Sequence, residues 1–450
     1  MKTLADYTLK NLANLLGVSF DGGDALFTGV STDTRNIEKG NVFVALKGPN
    51  FDAHDYLDQA KEKGAIAAIV ERDVESAIAQ IKVKDTLVAL GEMANARRNS
   101  FLGKVIGLTG SNGKTTVKEL IASILNVSGN VLATQGNFNN DIGLPLTLLK
   151  IKNNEKYAVI EMGANHHGEI AYLSKITHPD IALITNAGSA HLEGFGSLKG
   201  VATAKGEIFG GLIDGGTAII NLDDNYSAYW LTVSEKFTQK TFSLSDESAD
   251  IYASNIQPVK GGSEFDLHLS KQNVIKIHLP LSGKHNVANA LVAATVANIC
   301  DVPIADIKNG LEYFKMVKGR LTFMQGKNGS VVIDDTYNAN LDSSKAAINV
   351  LSEQPGEKYF ILGDLFESGD HAKQIHQEVG QYAKEQSIDH VLTVGELTQF
   401  TTESAGASAK HFNSKTELSE YLLPRLNDKS VLLIKGSRGM RMEKIVQKLI

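Results

Sequence analysis

Cysteine is almost absent from this sequence: Cys300 stands alone among 450 residues, which excludes an intramolecular disulfide. No apolar run is long enough to cross a bilayer, and the opening MKTLADYTLKNLANLLG lacks the continuous apolar core of a signal peptide. These absences predict a cytoplasmic protein without membrane insertion. An excess of charge is missing too, since 45 Lys and Arg face 51 Asp and Glu for a net charge of -6. A nucleic-acid partner would call for a basic domain or stripe, so none is expected. With 42% hydrophobic and 21% charged residues the composition is that of a folded globular chain. No internal repeat or low-complexity tract occurs, and a monomer is expected. Cys300 lies in the apolar stretch NALVAATVANIC, which predicts a buried thiol and not a catalytic one.

At roughly 150 residues per domain, the length predicts about three domains. The order of strand-like and helix-like stretches divides the chain at 1–102, 103–318 and 319–450. The first block holds short strands such as NVFVALKG and AIAAIVE among turn-rich segments, and reads as a smaller α/β domain. The second repeats short apolar strands with polar endings, VIGLTG, YAVIEMGAN, IALITNAGSAH and TAIINLDD, separated by helix-length segments. That pattern predicts a doubly wound, mostly parallel sheet, with ligands beyond the carboxyl ends of the strands. The third, with SVVIDDTYNAN, KYFILGDLFE, HVLTVGE and SVLLIKGSRG, predicts a Rossmann-like domain. The fold class is therefore α/β throughout.

Between the strand VIGL and the helix VKELIASIL lies TGSNGKTT, residues 109–116. The helix pattern places Val117, Leu120, Ile121, Ile124 and Leu125 on one face. Backbone N–H groups at a helix start, backed by the helix dipole, form a phosphate site. Gly110 and Gly113 admit backbone angles closed to other residues, with Ser111 and Asn112 between them. Lys114 can reach the β and γ phosphates, and the hydroxyl of Thr115, next to Thr116, can ligate Mg²⁺. ATP binding follows. One departure stands out, because the generic pattern asks for glycine where Leu108 stands.

Magnesium takes oxygen ligands and commonly shares them with phosphates, so a carboxylate near the loop is expected. Glu161, ending YAVIEMG, is the candidate. His191 follows the next strand in NAGSAHLEGFGS, where a structural role and metal ligation both remain open. Lys205 in VATAKGEIF, read alone, is a solvated cation.

These segments together resemble the Mur ligase family, ATP-dependent amide-forming enzymes of peptidoglycan synthesis whose phosphate loop reads TGxxGKT without an earlier glycine. The motifs GNFNNDIGLPLTLL, EMGANHHGEI, AHLEGFGS, DDTYNAN and KGSRGMRME resemble its branch that adds D-alanyl-D-alanine, and the whole resemblance runs from Ser31 to Glu443. The resemblance implies that residues 1–102 bind the UDP-sugar, 103–318 form the ATP-binding ligase domain, and 319–450 complete the ATP site and receive the dipeptide. The substrates implied are UDP-N-acetylmuramoyl-tripeptide and D-alanyl-D-alanine. It implies two Mg²⁺, one held by Thr115 and Glu161 and one by His191 and Lys205, the lysine being carbamylated. A carbamate turns a cation into an anionic oxygen donor, which gives that modification a chemical purpose.

Further roles follow from the same resemblance. In SGKHNVANALVAA, Asn286 and Asn289 would contact adenine, with helix capping the alternative for Asn286. Arg320 in KGRL would reach the ATP phosphates, and Asp335 in DDTYNAN would accept the ribose hydroxyls. Asn338 and Asn340 would position the dipeptide or simply form a turn. Ser437 and Arg438 would bind the dipeptide carboxylate, unless KGSRGMRME is an exposed turn. In STDTR, where Thr34 replaces the serine usual in relatives, Arg35 or Thr34 would touch the diphosphate of the UDP-sugar, with Ser31 a further substrate-binding residue, unless the segment is purely structural. His54 receives no role. Leu341 after DDTYNAN and the form GDLFESGDHA depart from the branch and bear on loop geometry near the dipeptide. The implied reaction activates a peptide carboxylate as an acyl phosphate. Another Mur-type or folylpolyglutamate-type ligase, or a nucleotide-switched binding protein or motor, are the alternatives.

Overall fold

The computed structural model describes residues 7–189 and 192–450. Their strands gather into a four-stranded, a nine-stranded and a six-stranded sheet, with a two-stranded hairpin at Lys47–Gly48 and Phe51–Asp52. The four-stranded sheet is parallel, in the order Gly29–Ser31, Asn41–Val44, Ala67–Val70, Ala79–Lys82. Helix Thr86–Asn99 follows and fastens this layer to the next. Asp85 caps its start by accepting the Leu87 and Val88 N–H groups at 2.8 and 2.9 Å. At its end Arg98 is buried against Asp180 at 2.7 Å, and Arg97 donates to the Ile151 carbonyl at 2.9 Å.

The nine-stranded sheet runs Val274–Leu279, Gly262–His268, Ile251–Val259, Thr238–Ser243, Thr217–Asn221, Ile181–Ile184, Lys104–Thr109, Tyr157–Glu161, Val131–Ala133. From Val131–Ala133 as far as Ile251–Val259 the pairing is parallel, as the apolar runs predict. The last three strands form an antiparallel meander that the sequence reading did not foresee. Side-chain alternation along Lys104–Thr109 explains the two-sided winding. Ile106 and Leu108 pack with Val117, Leu120, Ile121, Ile124 and Leu125 of helix Lys114–Ser128 and with helix Lys284–Ile299. Val105 faces the opposite layer, with Leu144, Ile170 and Leu173.

The six-stranded sheet runs Thr322–Gln325, Val331–Asp335, Ser430–Lys435, Glu357–Gly363, His390–Val394, Ala409–Phe412. Only its first pair is antiparallel. Its core is double as well, with Ile333, Phe360 and Leu433 on one face and Val332, Ile361 and Leu432 on the other. No helix among the described residues is long and apolar enough to cross a membrane.

Candidate active site

The phosphate loop sits between strand Lys104–Thr109 and helix Lys114–Ser128, with Gly113 at the helix N-cap in the left-handed region (φ 80°). A Cβ there would meet the Asn289 Oδ1 at 2.6 Å, and one at Gly110 (φ 149°) would meet the Thr185 Oγ1 at 1.9 Å. Both positions therefore require glycine. The loop is clamped from the end of the next strand. Thr185 Oγ1 donates to the Asn112 carbonyl at 2.6 Å, Asn186 Oδ1 accepts the Asn112 N–H at 3.0 Å, and Gly188 N–H donates to Ser111 Oγ at 2.9 Å. Lys114 folds onto the loop and donates to the Gly110 carbonyl at 2.6 Å. Burial lowers its pKa, while Glu161 acts in the opposite sense.

Glu161 ends its strand only 2% exposed. Its carboxylate accepts from Thr115 Oγ1 at 3.2 Å and from Asn139 Nδ2 at 2.8 Å. Two hard oxygen donors thus stand side by side at the helix start, a set that fits Mg²⁺. Lys205, in helix Leu198–Gly206, is 1% exposed and so is not the solvated cation that its residue type alone suggests. Burial, reinforced by the positive charge of Lys114, pushes its pKa down to about 7. Its Nζ lies 5.3 Å from the centre of the Phe195 ring. His191 lies outside the described residues.

Two clefts meet at the loop. One, of about 800 Å³, is lined by Lys114, Thr115, Glu161, Asn338, Asn340 and Glu367, and reaches Leu87 and Val88 of the first block. The other, of about 640 Å³, is lined by Thr116, Asn286, Asn289, His285, Asp335 and Lys435. Asn112, Gly113 and Arg320 border both. Arg320 stacks 4.2 Å from the centre of the Tyr337 ring, and its buried Nε has no hydrogen-bond partner among the described residues. An unsatisfied guanidinium N–H beside a phosphate loop suits an anionic ligand. In the second cleft Asn289 Nδ2 donates to Asn286 Oδ1 at 3.0 Å, and Asn286 Nδ2 donates to the Ser282 carbonyl at 2.8 Å. Gly283, not Asn286, holds the helix N-cap. Burial drives the His285 pKa down to about 4, so this imidazole is neutral at physiological pH. Asp335 accepts the Leu321 N–H at 3.2 Å and an ion pair from buried Lys435.

The C-terminal block touches the loop directly. Asn340 Nδ2 donates to Asn112 Oδ1 at 2.8 Å, and Asp342 accepts the Ser189 N–H and hydroxyl at 2.6 and 2.8 Å. Asn340 also caps helix Leu341–Ser352. Ser437 is buried and accepts the Phe366 N–H at 2.8 Å, bracing the GDLFESGDHA turn. Arg438 lines neither cleft, and its largely exposed guanidinium pairs with Glu443 at 3.4 Å. Ser31, Thr34 and Arg35 also lie outside both clefts. Ser31 and Thr34 bond to the Asp33 carbonyl and to Gln59, each at 2.9 Å, while Arg35 pairs with Asp33 at 2.6 Å. His54 is structural: its Nδ1 meets Asp52 at 2.6 Å, and its Nε2 accepts the Glu71 N–H at 2.9 Å. Asn139, Tyr337 and Lys435 escaped the sequence reading. All three lie within quoted motifs, Asn139 in GNFNNDIGLPLTLL, Tyr337 in DDTYNAN and Lys435 at the start of KGSRGMRME, where it ends an apolar strand.

Three α/β units with a phosphate loop at the junction of two clefts define a nucleotide-binding architecture. Residues 26–98 match the Mur ligase family catalytic domain, 108–297 the Mur ligase middle domain, and 319–438 the Mur ligase glutamate ligase domain, so the chain belongs to the Mur ligase family. It is 44% identical to the UDP-N-acetylmuramoyl-tripeptide--D-alanyl-D-alanine ligase of Escherichia coli K12, over 98% of each chain. Among solved structures it resembles MurF from Acinetobacter baumannii, with TM-score 0.92 and 37% identity over 98% of each chain. It also resembles the MurF ligase from Thermotoga maritima in complex with ADP, with TM-score 0.84 and 28% identity over 93% of this chain and 96% of that one.

Proposed function

We propose that this chain uses ATP to join D-alanyl-D-alanine to the C-terminal carboxylate of UDP-N-acetylmuramoyl-tripeptide in peptidoglycan precursor synthesis. The full-length likeness to the Escherichia coli ligase carries the assignment, and the meeting of two clefts at one phosphate loop supports it. A carboxylate repels an incoming amine and has no leaving group. Phosphorylation removes both obstacles: a carboxylate oxygen attacks the γ phosphorus, the bond to ADP breaks, and an acyl phosphate results. The dipeptide amine then attacks the acyl carbon, loses a proton, and phosphate departs from the tetrahedral intermediate. Lys114, Arg320 and the loop N–H groups neutralise charge on the transferred phosphoryl group.

ATP is assigned to the cleft of Asn286, Asn289 and Asp335, with its phosphates on residues 110–116. Magnesium, when bound, supplies Lewis-acid neutralisation of the phosphate oxygens, with Thr115 and Glu161 as its protein ligands. A second ion is assigned to His191 and carbamylated Lys205. The neutral amine is the form that adds CO₂, and a pKa near 7 leaves much of Lys205 in that form. The UDP-sugar is assigned to residues 1–102, near Ser31, Thr34 and Arg35, and the dipeptide to 319–450. There Asn338 and Asn340 line the cleft, while Ser437 braces it. We place the enzyme in the cytoplasm as a monomer.

The test is incubation with ATP, D-alanyl-D-alanine and the tripeptide nucleotide, carrying either lysine or diaminopimelate at its third position, followed by mass spectrometry. The pentapeptide nucleotide is expected from at least one tripeptide. ATP turnover with no such product would overturn the assignment.

A further inference from the structure

Lys435 is only 1% exposed, yet the reaction described above gives it no part. It ends strand Ser430–Lys435, directly beside Asp335 in the parallel register with Val331–Asp335. Its ammonium spends one N–H on Asp335 Oδ2 at 2.5 Å and another on the Asn338 carbonyl at 3.1 Å. These two acceptors belong to different clefts. Asp335 lines the one assigned to ATP, and Asn338 lines the one assigned to the dipeptide. The other oxygen of Asp335 holds the Leu321 N–H, next to Arg320, which borders both. Asn338 is held further by the Arg438 N–H, which donates to its Oδ1 at 3.3 Å. One buried cation therefore sets the distance between the floor of one cleft and the wall of the other.

We propose that Lys435 is a positioning residue that couples the nucleotide cleft to the dipeptide cleft, holding Asp335 and the Asn338 carbonyl in register. The proposal rests on the ligase assignment. An ammonium suits this task because it is a compact donor able to bond two acceptors in different directions, whereas a guanidinium is a planar fork. With the ammonium removed, Asp335 loses its counter-charge and Asn338 loses a donor, so both sites loosen together. A lysine that served stability alone would change the melting temperature and leave both substrate constants intact.

The experiment compares wild type with Lys435→Met and with the neutral pair Lys435→Met/Asp335→Asn, which leaves no unpaired buried carboxylate. ADP affinity is read by calorimetry, and KM for D-alanyl-D-alanine by product formation at saturating ATP. Lys435→Met is expected to weaken ADP at least tenfold and to raise the dipeptide KM at least fivefold. Should Lys435→Met not fold, the double variant must show the rise in dipeptide KM. Asp335→Asn alone, which keeps the Lys435 bond to the Asn338 carbonyl, is expected to raise the dipeptide KM less than the double variant does, and an equal rise overturns the proposal. A folded Lys435 variant with dipeptide KM within twofold of wild type overturns the proposal. Wild type that binds ADP but forms no pentapeptide nucleotide overturns the ligase assignment instead, and the coupling with it, while unchanged ADP affinity in Lys435→Met refutes the nucleotide half by itself.

Discussion

Glu161 and Cys300 mark opposite fates of a buried ionisable side chain. Glu161 accepts two neutral donors and faces the lysine of the phosphate loop, which places its carboxyl oxygens for a metal–phosphate complex. Glu161→Gln keeps the shape and removes the carboxyl group. It is expected to lower kcat by at least about a hundredfold while ADP still binds, because the loop N–H groups are untouched. Steady-state turnover and ADP calorimetry check both halves. Cys300, by contrast, has its thiol pushed up to about 11 by burial. Only the thiolate reacts, so at about pH 8 iodoacetamide should leave the native protein unlabelled and label it in urea. The sign for stability follows from linkage. The raised pKa contributes stability that is fully present below the unfolded value of 9.0 and is lost as pH rises towards 11. Burial of Cys300 was legible from its apolar neighbours. The burial of Lys205 was not, since a lysine in a helix carries no local sign of what packs over it, and the resemblance alone pointed there.

Among the elements, helix Thr86–Asn99 has the most to hold, since it is the strut between the first layer and the central sheet. Arg98 supplies its anchor by donating to Asp180 and to the carbonyls of Thr177 and His178. Removing one member of a buried ion pair strands the other, so Arg98→Ala is expected to cost about 3 kcal/mol, read as a lowered denaturant midpoint. Strands with continuous apolar runs, such as Tyr157–Glu161 and Ile181–Ile184, were visible in the sequence because both of their faces are buried. The meander from Ile251 to Leu279 was not, because its outer strand Val274–Leu279 alternates buried and exposed residues and contributes no polar ending that a ligand would use. The glycine requirement at Gly113 was legible as a pattern. The reason for it, the approach of Asn289 from a helix more than a hundred residues away in sequence, emerges only in three dimensions.

For the whole molecule, the decisive feature is that the three layers converge on one loop. Asn112 is touched by Asn340 across the cleft, Ser189 by Asp342, and the larger cleft extends to Val88 of the first block. In the proposed reaction, groups drawn from the three blocks around one loop would shield an acyl phosphate from water. Sequence motifs named the participants from each block, but which of them face the clefts depends on packing. Asn338 and Arg320 do, whereas Arg35 and Arg438 are turned towards nearby carboxylates outside the clefts. The central claim is that the tripeptide carboxylate is itself phosphorylated. It is tested most directly by labelling that carboxylate with ¹⁸O and following the label through one turnover by mass spectrometry. The account predicts one labelled oxygen in the inorganic phosphate released with each pentapeptide nucleotide. Product accompanied by unlabelled phosphate, or labelled AMP in its place, would contradict it.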